Sequence, residues 1–300
     1  MSEEAGALRR ALVLGGGGPV GVAWECGLLA GLAEHGADVS DADFIVGTSA
    51  GSIVGSQLAS GKTPGEIYRR QLEASPPGRR ASMPSDLSGL IPRMIQLYTS
   101  DRPIQDLRAE IGAYAIAAEV MPEEEWLAGF SSIEPANADT WPKRFACTAI
   151  DVNDGALVFW RDESHVPLLL AVASSCAVPG IASPVTINGR RYMDGGIGST
   201  TNSEVAAGYD QVLIVSLTGS TRSRASAIAE AVQRRFAAEV AVLRAAGSEV
   251  EVVFPGDDFA QEIGANLMDV TLRFRAAELG LLQGATEAER IRRFWTTPRT

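Results

Sequence analysis

Three short stretches hold residue types that can do chemistry together. "GTSAG", Gly47 to Gly51, fits the pattern G-x-S-x-G. Ser49 is a candidate nucleophile where a strand ends just before it and a helix begins just after it. That sharp turn presents Oγ, and small neighbours avoid a clash. The start of the helix also favours negative charge developing nearby. The competing reading is a plain helix N-cap serine. "YMDGG" puts Asp194 after a short strand-like run and before two glycines. The glycines permit an unusual backbone and close approach to another loop, which makes the carboxylate a candidate base. A turn aspartate, common in Asp-Gly pairs, is the alternative. "LVLGGGGPVG", Leu12 to Gly21, runs from an apolar stretch into four consecutive glycines.

A serine hydroxyl needs a proton acceptor. The chain has two histidines, His35 and His165. A Ser–acid–His order admits Ser49, an acid such as Asp151, and His165, but Ser49 comes very early for a nucleophile of that fold. His35 reads as a surface residue at a helix end, and His165, in "RDESHVPLL", as lying N-terminal to a helix. A carboxylate base, Asp194, is the other option.

The glycine loop has rival readings. Gly16, Gly18 and Gly21 satisfy G-x-G-x-x-G, but a dinucleotide site also needs an acid at the end of the second strand. Gly47 and Thr48 stand there, while Asp41 and Asp43 precede that strand. "GKT" at 61–63 resembles a phosphate loop, yet the spacing from Gly55 to Gly61 is one residue too long. A helix C-cap glycine beside a solvated Lys62 accounts for it.

Positioning these residues requires a particular order of elements. Ala11–Leu14 reads as a buried strand. Pro19 suits the first turn of a helix, where its missing N–H costs nothing, and Gly36 suits its end. Phe44–Val46 is a second strand, and "SAGSIVGSQLA" a second helix. Strand–helix–strand–helix implies a parallel sheet with crossover helices. Phe145–Ile150 and Ala156–Trp160 flank "DVNDG", and Val185–Ile187 and Arg191–Met193 flank "NG", two hairpin signals. Val212–Leu217 reads as a central strand, Val250–Phe254 as a late one, and 223–246 and 271–295 as helices. The expectation is one α/β domain over 1–300. A mostly helical insertion at about 64–130, broken by "SPPGRR", and a helical extension at about 255–300 complete it.

At 46% hydrophobic and 21% charged residues, the 300-residue chain can build a sizeable core. A net charge of -11 argues against nucleic acid as a partner. It gives no electrostatic help toward anionic lipid either, so membrane contact would be apolar or local. Cys26, Cys147 and Cys176 form no CxxC pair, which favours a reducing compartment. The first ten residues carry acids and no apolar core of a signal. The reading is cytoplasmic, at most peripheral to a membrane. The charge-free stretch 166–189 is interrupted by Pro167, Pro179, Gly180 and Pro184, which suits a buried helix and turn rather than a span.

Taken in order and spacing, "LVLGGGGPVG", "GTSAG", "SSCAVPG" and "YMDGG" resemble the patatin-like phospholipase family, over about residues 10 to 217. The tail around "AAGSEVEVVFPGDD" is similar to bacterial members. The resemblance implies a three-layer α/β/α sandwich with a mostly parallel central sheet. It implies a Ser–Asp dyad without histidine, Ser49 as nucleophile and Asp194 as general base. Gly15–Gly18 matches the oxyanion loop, with the N–H groups of Gly16, Gly17 and Gly18 as donors. One such donor is worth about 3 kcal/mol in other hydrolases. A lipid or other acyl ester is the implied substrate, with transient contact at a membrane surface and no metal or organic cofactor. Two departures stand out. Val20 occupies the basic position of the usual G-G-G-x-[RK]-G, and Asn202, Ser203 and Glu204 replace the usual N-x-P. Given Val20, a lipid-binding or regulatory module with weak or lost activity is the alternative. Leu87, Leu90, Ile91, Met94, Ile95, Leu97 and the segment Leu168–Val172 are either walls for an acyl chain or plain core. Arg69, Arg70, Arg79, Arg80 and Arg93 either meet lipid phosphate or are solvated surface.

Overall fold

In the computed structural model, which describes residues 8–73, 87–130, 141–218, 227–264 and 266–296, the run Arg10–Leu14 forms strand β1. Arg79, Arg80, "SPPGRR", 223–226 and the first seven and last four residues lie outside the described residues. β1 serves two cores at once. Leu12 and Leu14 enter one apolar cluster, Ala11 and Val13 another. A parallel strand covered by helices on both faces must do this. The chain continues through α1 (Gly18–Glu34), β2 (Phe44–Gly47), α2 (Ala50–Ala59), α3 (Pro64–Gln71), α4 (Leu90–Thr99), α5 (Ile104–Ala117) and α6 (Glu123–Ala128). Next come β3 (Phe145–Asp151), β4 (Leu157–Trp160), α7 (Leu168–Ser175), β5 (Val185–Ile187), β6 (Arg190–Asp194) and β7 (Gln211–Val215). The last elements are α8 (Ala227–Ala245), β8 (Glu249–Val253), α9 (Asp257–Glu262) and α10 (Arg273–Thr296).

β3, β2, β1, β7 and β8 are neighbours in that order and parallel. β4 and β6 run antiparallel to β3, and β5 antiparallel to β6. The sheet is thus mostly parallel with an antiparallel flank. Residues of α1, α2, α3, α7 and α10 join the Leu12–Leu14 cluster on one face. Val240 and Leu243 of α8 cover the other face, where Leu97 of α4 and Leu107 and Ile111 of α5 pack on Ile150 and Met193. These are the three layers of an α/β/α sandwich. The segment 166–189 holds the buried helix α7 and the short strand β5. No helix among the described residues is long and apolar enough to cross a membrane.

The register around β3 brings two distant segments together. Cys147 pairs with both Gly47 and Trp160, and Ala149 with both Asp194 and Val158. A strand has only two edges. β4 therefore takes one, while β2 and β6 share the other, approach from opposite ends and stop on either side of Thr148.

Candidate active site

Ser49 and Asp194 stand where β2 and β6 converge. Ser49 follows β2 with φ 52 and ψ -114, a left-handed conformation that is costly for a residue with a side chain. It occupies the N-cap position of α2, yet its side chain makes no capping hydrogen bond. The plain N-cap reading therefore fails, because Oγ is not spent on the helix. The strained turn is held by its neighbours. Ser49 N–H donates to Ser175 Oγ at 2.9 Å, and Ser49 C=O accepts from Ser52 Oγ at 2.6 Å and Cys176 Sγ at 3.2 Å. Gly51 cannot carry a side chain, since a Cβ there would lie 2.1 Å from the Leu14 carbonyl oxygen.

Asp194 is the last residue of β6 and is 4% exposed; Ser49 is 7% exposed. Its Oδ1 accepts the Gly196 N–H at 2.6 Å. Oδ2 is buried and has no full hydrogen bond among the described residues. Burial pushes the carboxyl up to about 6, while the nearby Ser49 hydroxyl and the Gly196 N–H restrain the rise. The Ser49 contact is thus felt electrostatically but is looser than a well-formed hydrogen bond. Half of this carboxyl behaves as a turn aspartate, and half is free for a proton. Gly195 is forced by close approach, because a Cβ there would lie 2.2 Å from Thr148 Oγ1.

The glycine loop differs from expectation at one position. The Gly16 N–H donates to the Thr200 carbonyl at 2.7 Å, which removes Gly16 from the free donors. Gly17 and Gly18 N–H have no acceptor among the described residues, and neither does the Ala50 N–H at the start of α2. Ala50 was not legible as a donor in sequence, though it directly follows the serine, a position that supplies an oxyanion donor in other G-x-S-x-G folds. Val20 is fully buried, and its N–H donates to Leu267 C=O at 3.2 Å. Leu267 and Met268 cover the loop closely, since a Cβ on Gly18 would lie 2.6 Å from Met268 Sδ.

Asn202 is the second residue whose importance only the structure reveals. Its Nδ2 lies within hydrogen-bond reach of Thr48 Oγ1 at 3.0 Å, Thr148 Oγ1 at 3.3 Å and the Gly195 carbonyl at 3.1 Å. One amide thus joins the residue before Ser49 to the residue after Asp194. Glu25 in α1 is a fully buried carboxyl that desolvation drives well above its ordinary pKa.

The remaining candidates separate clearly. His35 and His165 are both exposed, and Asp151 is ion-paired with Arg190. No triad forms from them. Asp41 and Asp43 bond Arg10 at the start of β1, the wrong end of the sheet for a ribose. Gly61 takes φ 91 just after α2, as a helix-ending glycine does. Leu90 and Leu97 are core, as are Leu168, Ala171 and Val172, and Leu87 and Met94 pack against that core. Ile91 and Ile95 are exposed. Arg93 lies over the Tyr114 ring and donates to Gly89 C=O, so it is held in place.

A family model described as patatin-like phospholipase matches residues 12–207. The chain belongs to the patatin-like phospholipase family. At the level of that family it is a lipid hydrolase. Among solved structures, VipD from Legionella pneumophila is similar at 16% identity and a TM-score of 0.44, covering 97% of this chain and 69% of VipD. The type III effector protein ExoU is similar at 16% identity and a TM-score of 0.40, covering 95% of this chain and 53% of ExoU. The heterodimeric ExoU–SpcU complex from Pseudomonas aeruginosa gives 16% identity and a TM-score of 0.41, with 97% and 53% covered. This chain therefore spans about half the length of the ExoU chains. No curated protein sequence matches. Within the patatin-like pattern, the usual basic residue of the glycine loop is here the buried Val20.

Proposed function

We propose that this chain is a serine acyl hydrolase of the phospholipase A type, working through a Ser49–Asp194 dyad. The observation that carries the reading is the pairing of an uncapped serine on a strained turn with a buried carboxyl that keeps one oxygen free. With a pKa of about 6, Asp194 is mostly ionised at neutral pH. It takes the Ser49 proton as Oγ attacks the carbonyl carbon of an acyl ester. The carbonyl electrons move to oxygen, and Gly17 and Gly18 N–H, with the starts of α1 and α2, stabilise that charge. Gly16 holds the loop through Thr200. When the intermediate collapses, the alcohol leaves with the proton from Asp194. Water then attacks the acyl-enzyme, gives its proton to Asp194, and the fatty acid departs as Ser49 regains its proton.

The reading extends to the whole chain as one hydrolase domain, since helices from 64–130 and from 255–300 pack on the same sheet. The second reading, a lipid-binding module with lost activity, draws on Val20 and on the cover of Leu267 and Met268 over the glycine loop. The direct test is hydrolysis of p-nitrophenyl acyl esters by the purified chain. The reading expects turnover that Ser49→Ala abolishes; turnover unchanged in that variant refutes it.

A further inference from the structure

A cavity of about 340 Å³ lies away from Ser49, between α5, α8 and the loop that follows Asp194. Part of its wall is apolar, with Ile104, Leu157 and Val242. Four charged side chains also line it: Arg108, Arg235, Glu204 and Glu239. Among the described residues neither arginine forms an ion pair with either carboxylate. Charged groups gathered around one space usually close on each other, because an unpaired buried charge is costly.

The carboxylates are already engaged or peripheral. Glu239 Oε2 accepts from Thr201 Oγ1 at 2.7 Å and from Ser203 Oγ and N–H at 3.3 Å. Glu204 is exposed. Arg108 and Glu239 are each only 8% exposed. Arg108 spends Nε on the Ile197 carbonyl at 2.8 Å, and no acceptor among the described residues takes its terminal nitrogens. Burial and the charge of Arg235 lower its pKa to about 10, outweighing the help from Glu204, Tyr98 and Glu239. The two carboxylates match the two guanidinium groups in number, but the terminal nitrogens of Arg108 keep their donor capacity for a ligand.

We propose that this cavity binds an amphiphilic anion, a carboxylate or phosphate on a short apolar chain. Arg108 and Arg235 hold the anionic group, and Ile104, Leu157 and Val242 take the chain. The released acid of an acyl ester has this chemistry, and so does a lysolipid phosphate.

The site is wired to the loops around Ser49. Ser199 lines the cavity, and its Oγ accepts the Asn202 N–H at 2.8 Å. Asn202 reaches Thr48, and the Thr200 carbonyl holds Gly16. An anion on Arg108 acts on this loop through the Ile197 carbonyl. The resulting change in turnover rests on the Ser49–Asp194 reading; the binding does not.

The test is calorimetric titration of the full chain and of Ser49→Ala with sodium octanoate, octyl phosphate and inorganic phosphate. The two octyl compounds should bind both proteins alike, at least one saturably, and the tighter of them names the source. Arg235→Gln should weaken that binding by about tenfold or more, as loss of a charged hydrogen-bond donor does. Ala238→Trp, at an exposed cavity residue on α8, should block the binding with the fold intact by circular dichroism. Octyl anions that do not bind, or that bind equally to Arg235→Gln and Ala238→Trp, overturn the site. Inorganic phosphate binding as tightly as octyl phosphate overturns the role of the apolar walls. Loss of ester turnover in Ser49→Ala with octanoate binding retained separates this site from the dyad.

Discussion

The side-chain amide of Asn202 donates to Thr48 Oγ1 at 3.0 Å, joining the loop after Asp194 to the residue before Ser49. The proposed nucleophile and its proposed base, carried by segments far apart in sequence, thus share one support. Replacing Asn202 by Ala should cost about 1–3 kcal/mol of stability, because buried partners lose their donor. It should also lower kcat while leaving KM nearly unchanged, since the dyad is displaced and not the substrate site. Urea unfolding and steady-state kinetics check this; an Asn202→Ala protein with wild-type kcat removes the support from the account.

Ser175 holds the Ser49 N–H, and this bond helps to keep the serine in its left-handed conformation. Ser175→Ala leaves a buried donor unpaired. A loss of about 1–3 kcal/mol is expected, with a matching fall in melting temperature. A variant as stable as the parent means that the strain is borne elsewhere.

Asp194 gives a prediction with a definite sign in pH. Its carboxyl is at about 6 in the folded protein against an ordinary 3.8. The folded state therefore binds the proton more tightly, and this group's stability contribution is full below the ordinary value and lost as pH rises through about 6. Asp194→Asn removes that penalty. At neutral pH the variant should be more stable, by up to about 3 kcal/mol, and the gain should vanish near pH 4. The same substitution should abolish turnover. In the parent, turnover should fall with acidity around pH 6, as the base becomes protonated. Unfolding curves at both pH values and a pH–rate profile test both halves.

The histidines should be dispensable. Both are exposed, and neither bonds Ser49 or Asp194 among the described residues. His35→Ala and His165→Ala should each keep most of the ester hydrolysis; a large loss in either reinstates a triad.

The local parts of this arrangement were legible in sequence. An apolar run into glycines, then Pro19, reads as strand, turn and helix, because those signals act over a few residues. The hairpins around "DVNDG" and "NG" were legible for the same reason. What sequence hid was set by long-range register. That β2 and β6 meet head-on at Thr148 depends on three strands sharing two edges of β3. The capture of Gly16 by Thr200 depends on a loop nearly two hundred residues away, so Gly16 looked like a free donor. Asn202 looked like a missing N-x-P rather than a clamp, since nothing in "TNSE" tells which partners its amide will meet. The cover of Leu267 and Met268 on Gly18 was likewise invisible, as it comes from the far end of the chain.

The most direct test of the central claim is covalent labelling with a fluorophosphonate probe, read by peptide mass spectrometry on the folded protein. The account predicts one adduct, on Ser49, formed at neutral pH and nearly absent in Asp194→Asn. Folded protein that takes no label, or takes it on another serine while Ser49 stays bare, contradicts it.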